Sequence, residues 1–307
     1  MYSRLKDFQS KYPGRGREER KMFMPRQIIV AENSGFCFGV KRAVDITVNY
    51  NSNKGSKTYT LGPLIHNENV VRRLKEQGIQ EIERKDIGKL DTRDALVIRS
   101  HGIAPDVIDQ IGKSGVTMID ATCPYVSSIQ KKAKKYHERG YQIVIVGDRN
   151  HPEVIGINGW CGNTALVTRD GSELKDLPDK VCVLSQTTEM QSNFDKTVEA
   201  VSKQSKDMLA FNTICNATRE RQDSADKISR LVDRMVVIGG RHSSNTKKLF
   251  EICSANCKDT VLIENSAELP EWPIPGKKPE KIGITAGAST PDWVIHAVIE
   301  KLKRNTR

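Results

Sequence analysis

Residues 116–147 read "VTMIDATCPYVSSIQKKAKKYHERGYQIVIVG". A short β-rich run closes on Cys123. An amphipathic segment follows and ends at Gly140, a residue suited to the turn that stops a helix. The strand-sized apolar run "QIVIVG" comes next. The strand–cysteine–helix part of this pattern occurs three times. "RQIIVAENSGFC" (26–37) leads into "FGVKRAVDITVNY" (38–50), and "LAFNTIC" (209–215) leads into "NATRERQDSADKISRLV" (216–232). The cysteines are Cys37, Cys123 and Cys215, spaced by 86 and 92 residues.

The periodicity continues between them. A polar strand end begins 29, 28 and 28 residues after each cysteine: His66 in "LIHN", His151 in "RNHPE" and Ser243 in "RHSSN". A second follows at 64, 64 and 74 residues: His101 in "SHG", Thr187 in "QTT" and Ser289 in "GAST". A middle strand recurs in "IQEIERKDIG", "TALVTRDGSEL" and "TVLIENSAEL". Strands alternating with helices predict α/β modules with mostly parallel sheets. Repeats of this length often stack as solenoids, but three full α/β copies fit a closed pseudo-threefold assembly better. The expected division is a basic extension at 1–27, then modules at 28–122, 123–214 and 215–307, the last with a C-terminal helix. Ligands bind beyond the carboxyl ends of parallel strands. Three modules facing one axis would therefore gather three thiols and six polar motifs.

Composition narrows the function. Hydrophobic residues make up 37% of the chain, enough for real cores, and the mean hydropathy is −0.51. No apolar run is long enough for a membrane helix, and no secretory signal pattern is present. A soluble cytosolic protein is expected. The net charge is +11, but residues 1–27 hold eight basic and three acidic residues, which is nearly half the excess. That reads as a charged tail. The remainder suits an anionic small ligand or an acidic protein partner as well as RNA. RNA binding through the basic surface is one alternative, weakened by a 6% aromatic content and the lack of an RNP-like motif. No phosphate-loop or dinucleotide fingerprint occurs. Seven cysteines in a cytosolic chain do not suggest a disulfide framework. Cys253 and Cys257, four apart, read as helix packing.

Soft thiolates select zinc, copper(I) or iron–sulfur clusters. Structural zinc usually takes four ligands from paired short motifs. Single cysteines from three distant segments suit a cluster in a central space, with unrelated buried thiols as the plain alternative. Three ligands would leave one iron free to act as a Lewis acid. Helix N-termini after each cysteine should favour thiolates, and Gly35 and Gly39 should let backbone come close to a bulky cluster. "GGRHSSNTKK" (239–248) could hold a phosphate at a helix start or be an ordinary N-cap. In "HPEV", Glu153 beside His151 could supply protons from a closed pocket, or sit in a surface loop. His137 and His296 read as structural, and His242 stays undecided. A zinc-dependent hydrolase built on Cys and His positions is a further alternative.

Taken in order, "GFCFGVKRA", "LIHN", "SHG", "DATCP", "HPEV", "QTT", "TICNATRERQ", "SSN" and "TAGAS" resemble the LytB family of 4-hydroxy-3-methylbut-2-enyl diphosphate reductases. The resemblance runs from about Gln27 to about Leu302. It implies three α/β modules around one [4Fe-4S] cluster held by Cys37, Cys123 and Cys215. The open iron takes the allylic hydroxyl oxygen of the substrate, which leaves as water after two single-electron transfers and protonation. Isopentenyl and dimethylallyl diphosphate are the products, the last step of the non-mevalonate isoprenoid pathway. By position, His66, His101, Ser243, Ser244, Asn245 and Ser289 match diphosphate-binding residues. His151 matches a substrate-pocket residue, Thr187 one near the hydroxymethyl group, and Glu153 the proton donor. Ferredoxin or flavodoxin would deliver electrons in a bacterial cytosol, with no membrane or nucleic-acid partner expected.

Overall fold

The computed structural model describes residues 27–52, 57–271 and 280–304. The basic extension expected at 1–27 lies outside these, apart from Gln27. Within these residues twelve strands form three four-stranded sheets, and every pairing is parallel. The first sheet holds β2 (Thr58–Leu61), β3 (Gln80–Ile82), β4 (Ala95–Ile98) and β5 (Thr117–Asp120), in the order β3-β2-β4-β5. The second holds β6 (Gln142–Val146), β7 (Leu166–Thr168), β8 (Lys180–Ser185) and β9 (Asp207–Ala210), in the order β7-β6-β8-β9. The third repeats the pattern with β10 (Arg234–Ile238), β11 (Thr260–Ile263) and β12 (Lys281–Ala286). Its last place is taken by β1 (Gln27–Val30), which pairs with β12.

That place for β1 differs from the expected start of the first module at residue 28. Each cysteine follows the last strand of one sheet and opens the helix that leads into the next. The repeat is therefore circularly offset, and the start of the chain completes the sheet formed near its end. The middle strands expected from "IQEIERKDIG", "TALVTRDGSEL" and "TVLIENSAEL" are β3, β7 and β11, each at a sheet edge.

Helices cover both faces of each sheet, so inner strands read as continuous apolar runs. "ALVI" of β4 is wholly buried, as are the last four residues of β6 and of β10. Alternate side chains feed two cores per sheet. In the second sheet Ile143 and Ile145 face one, and Val144 and Val146 face the other. Helix α4 (Pro124–His137) buries Val126, Ile129 and Ala133, the spacing of one helical face. Gly78 and Gly140, expected helix stops, have φ of 82° and 79°.

Candidate active site

The carboxyl ends of the strands surround one cavity, open to solvent on one side. All twelve residues singled out from the sequence line it: Cys37, His66, His101, Cys123, His151, Glu153, Thr187, Cys215, Ser243, Ser244, Asn245 and Ser289. The polar motifs follow the two inner strands of each sheet, and the cysteines follow the edge strands.

The cysteines are held alike. Cys37 precedes α1 (Phe38–Ser52), while Cys123 and Cys215 are N-caps of α4 and α7 (Asn216–Ser229). The backbone amide of Cys37 donates to Ala288 O at 3.0 Å, that of Cys123 to Ser100 O at 3.0 Å, and that of Cys215 to Thr187 O at 3.1 Å. One bond, made three times, ties each cysteine to the polar motif of its own sheet. Val40 N–H donates to Cys37 Sγ at 3.4 Å, and Thr218 Oγ1 lies 3.1 Å from Cys215 Sγ. Burial pushes the Cys123 and Cys215 thiols up, and the hydrogen bonds from their first helical turns, which pull the other way, do not outweigh it. This differs from the expectation that helix N-termini alone would favour thiolates. Negative charge on Glu153 or Cys37 would raise these thiols further; they lose their protons when a metal takes the sulfurs.

The glycines act more specifically than expected. A Cβ on Gly39 would sit 2.6 Å from Cys123 Sγ, so this glycine lets α1 pass directly over that sulfur. Gly35 has φ of 94°, and its carbonyl accepts from the buried Arg221. Three soft sulfurs from three elements, beside a buried cation, fit an anionic group held by three thiolates.

His66, His101 and His151 form a second cluster, with ring centroids 4.7 to 5.5 Å apart. Burial holds His66 and His151 down to about 4, and His101 lies well below its ordinary value for the same reason. The rings are neutral at pH 7. Their nitrogens converge within 4.8 Å, which would also suit a divalent cation. Arg99, His242 and Lys247 oppose that by placing positive potential on His66. The surroundings favour an anion. His66 Nε2, His101 Nδ1 and both amide atoms of Asn245 are buried without partners among the described residues. Asn245 lies in the first turn of α8 (Ser244–Asn256), whose N-cap Ser243 accepts from Thr246 N–H. Unpaired buried polar groups of this kind are costly unless a ligand completes them. Ser244 accepts from Thr188 Oγ1 at 2.9 Å, and Ser289 donates to His66 O at 3.2 Å.

Glu153, 2% exposed, joins the two clusters. It is the second residue of α5 (Pro152–Gly159), whose N-cap is His151. Glu153 N–H donates to His151 Nδ1 at 3.2 Å, which leaves Nε2 as the donor of that ring. Thr187 donates to both carboxyl oxygens, from N at 2.6 Å and from Oγ1 at 2.7 Å. Burial outweighs these bonds and raises the carboxyl to about 7. The surface-loop reading of "HPEV" is excluded.

The remaining candidates sort cleanly. Cys161, Cys182, Cys253 and Cys257 are buried in hydrophobic cores. Burial raises Cys161 to about 11 and Cys182 and Cys253 to about 12, which makes them unreactive. Cys257 caps α8 rather than sharing its face with Cys253. His242 is exposed at a neighbouring cavity, and His137 and His296 lie away from the site. Sequence reasoning missed Arg99, Thr188, Thr218 and Arg221. The signal for Thr218 was its place three residues after Cys215, and for Arg99 a charge closing the apolar run "ALVI".

Comparison with known proteins gives the following. The LytB protein family matches residues 28–303. A 4-hydroxy-3-methylbut-2-enyl diphosphate reductase of Clostridium perfringens (strain SM101 / Type A) is 51% identical over 280 residues, covering 91% of this chain and 99% of its own. The protein of that name from Caldanaerobacter subterraneus subsp. tengcongensis is 48% identical, covering 90% and 96%. A solved structure of (E)-4-hydroxy-3-methyl-but-2-enyl diphosphate reductase, the terminal enzyme of the non-mevalonate pathway, is similar with a TM-score of 0.66 and 39% identity, covering 91% of this chain and 99% of that one. The Plasmodium falciparum E-1-hydroxy-2-methyl-but-2-enyl-4-diphosphate reductase is similar with a TM-score of 0.83 and 26% identity, covering 90% and 87%.

Proposed function

The chain belongs to the LytB family, and we propose on that footing that it reduces 4-hydroxy-3-methylbut-2-enyl diphosphate to isopentenyl and dimethylallyl diphosphate, the last step of the non-mevalonate pathway. The observation that carries this reading is one cavity holding three singly placed cysteines, a buried carboxyl raised to about 7, and a set of unpaired anion-binding groups. Cys37, Cys123 and Cys215 would hold one [4Fe-4S] cluster, which supplies single electrons and a Lewis-acidic iron when bound. Ferredoxin or flavodoxin would be the electron source, in the bacterial cytoplasm. Among the described residues no helix is long and apolar enough to cross a membrane.

The chain's own residues bind, orient and protonate. His66, His101 and His151 offer ring N–H groups to the diphosphate. Ser243, Ser244, Asn245 and Ser289 add hydroxyl and amide donors, and the N-terminus of α8 adds its dipole. Diphosphate fixed there directs the hydroxymethyl end of the substrate toward Thr187 and Glu153. The reaction breaks one C–O bond and consumes two electrons and two protons. Glu153, which keeps its proton up to about pH 7, gives it to the departing oxygen, which leaves as water. The second proton adds to one end or the other of the allyl fragment, giving the two isomers. Thr187 keeps the carboxyl aimed throughout.

The test is anaerobic purification, iron and sulfide analysis, and substrate-dependent oxidation of a reduced one-electron dye. Four iron and four sulfide per chain, on the order expected for one such cluster, with turnover, support the reading. A chain that stays iron-free and inactive after reconstitution overturns it. Zinc near one equivalent without sulfide would favour the hydrolase alternative.

A further inference from the structure

Arg221 breaks the threefold repeat. It lies six residues after Cys215, and the matching positions after Cys37 and Cys123 are Ala43 and Ile129, both buried apolar residues. The fold is satisfied twice by a hydrophobic side chain at this place. The third copy buries a guanidinium there, 4% exposed. Arg221 Nη1 donates to Ala217 O at 2.8 Å, one turn back along α7. Its Nη2 donates to Gly35 O at 2.7 Å, in the loop just before Cys37. Its Nε is buried without a partner among the described residues.

Both acceptors are neutral carbonyls. Among the described residues no carboxylate lies within ion-pair distance of Arg221, and Glu220, whose charge it senses, is exposed. A guanidinium stays charged in the protein interior, and a buried charge without a counter-charge is strongly destabilising. The nearby groups whose negative charge would act on it most are Cys37 and Cys215, and its bond to Gly35 O holds it two residues from Cys37. We infer that Arg221 is the buried counter-charge of the thiolate-held cluster, a positioning residue that ties the Cys37 loop to the Cys215 helix and makes the cluster easier to reduce. The inference rests on the cluster reading above. Net charge and nearby hydrogen bonding set the reduction potential of such centres. Each added electron makes the group more negative, so a fixed cation beside it favours the reduced state. The fork geometry explains why arginine stands here, since one planar group reaches both carbonyls while keeping its charge.

The experiment compares wild type with Arg221→Gln and Arg221→Lys after anaerobic reconstitution. Iron and sulfide are measured, and the one-electron midpoint is followed by electron paramagnetic resonance. R221Q is expected to lower the reduced-to-oxidised ratio at fixed potential at least tenfold, which is 59 mV for a one-electron couple. R221K, which keeps the charge, is expected to stay close to wild type. A purely structural tie would move cluster content but leave the midpoint of the loaded fraction in place. An R221Q midpoint equal to wild type, or an R221K shift as large as that of R221Q, overturns the inference alone. A wild-type chain that takes up no iron and sulfide overturns the cluster reading and this inference with it. Should R221Q retain no cluster, urea unfolding of the iron-free proteins decides. An R221Q midpoint at or above wild type supports removal of an unpaired cation, and a lower one marks Arg221 as a structural tie only.

Discussion

Glu153 has two opposing influences, and their balance sets its use. Burial favours the neutral acid, while two bonds from Thr187 favour the carboxylate. Burial wins and the acid persists to about pH 7. Activity that needs this proton should fall as pH rises through 7. Glu153→Gln keeps the shape and loses the proton, so turnover should drop about 10²–10⁴-fold. Affinity for inorganic diphosphate should hold, which calorimetry would check. Thr187→Val removes the Oγ1 bond to the carboxylate but spares the backbone one. It should raise the carboxyl further and move the basic limb of the pH–rate profile to higher pH. An unmoved limb would mean that Glu153 does not set it. Nothing in the linear order "HPEV" displays this pairing, since Thr187 lies 34 residues away and meets Glu153 only across neighbouring strands β6 and β8. The residue types were legible there; the burial that makes one of them an acid at neutral pH was not.

At the scale of the element, the strand–cysteine–helix unit was legible because it occurs three times. A single copy resembles any strand followed by a helix, but a common spacing marks shared geometry. The repeated amide bonds from Cys37, Cys123 and Cys215 are that geometry. What spacing could not reveal is how units touch. Gly39 in α1 serves Cys123 of the next unit, and a Cβ on Gly240 would lie 2.4 Å from His66 O, in the loop after β2, so only glycine lets the two loops pass. These contacts join residues far apart in the chain, and no local pattern encodes them. Gly39→Ala tests the first. Its Cβ would overlap Cys123 Sγ, so the sulfur or the helix must move. Cluster retention should weaken about 10- to 100-fold, as for losses of residues that orient metal ligands. Far-ultraviolet circular dichroism should be unchanged, because α1 itself tolerates alanine. Undiminished iron per chain in Gly39→Ala would remove this glycine from the site.

The whole molecule closes as a ring, because β1 completes the sheet of β10, β11 and β12. The linear reading placed this strand with the residues after it; parallel pairing with β12 across the length of the chain is a tertiary choice that periodicity does not record. The neutral histidines that follow strands of the first two sheets meet in the one central cavity, where burial holds their pKa values down. That couples global stability to pH. His66 and His151 titrate near 6.5 when unfolded and near 4 when folded. Their pKa values are depressed, so their contribution is fully present above 6.5 and is lost as pH falls toward 4. Glu153 runs the other way. Its carboxyl is raised, so its contribution is present below 4.5 and lost as pH rises through about 7. Two histidines outweigh one carboxyl on the acid side, and urea midpoints should fall between pH 6.5 and 4.5. Inorganic diphosphate should reverse the trend, because a bound anion pairs with protonated rings and is held more tightly as pH falls. Binding near pH 6 should then take up protons, measured as a calorimetric heat that changes with the ionisation enthalpy of the buffer. Midpoints independent of pH, or binding without proton uptake, would show that the three rings do not meet the diphosphate as a neutral cluster awaiting charge.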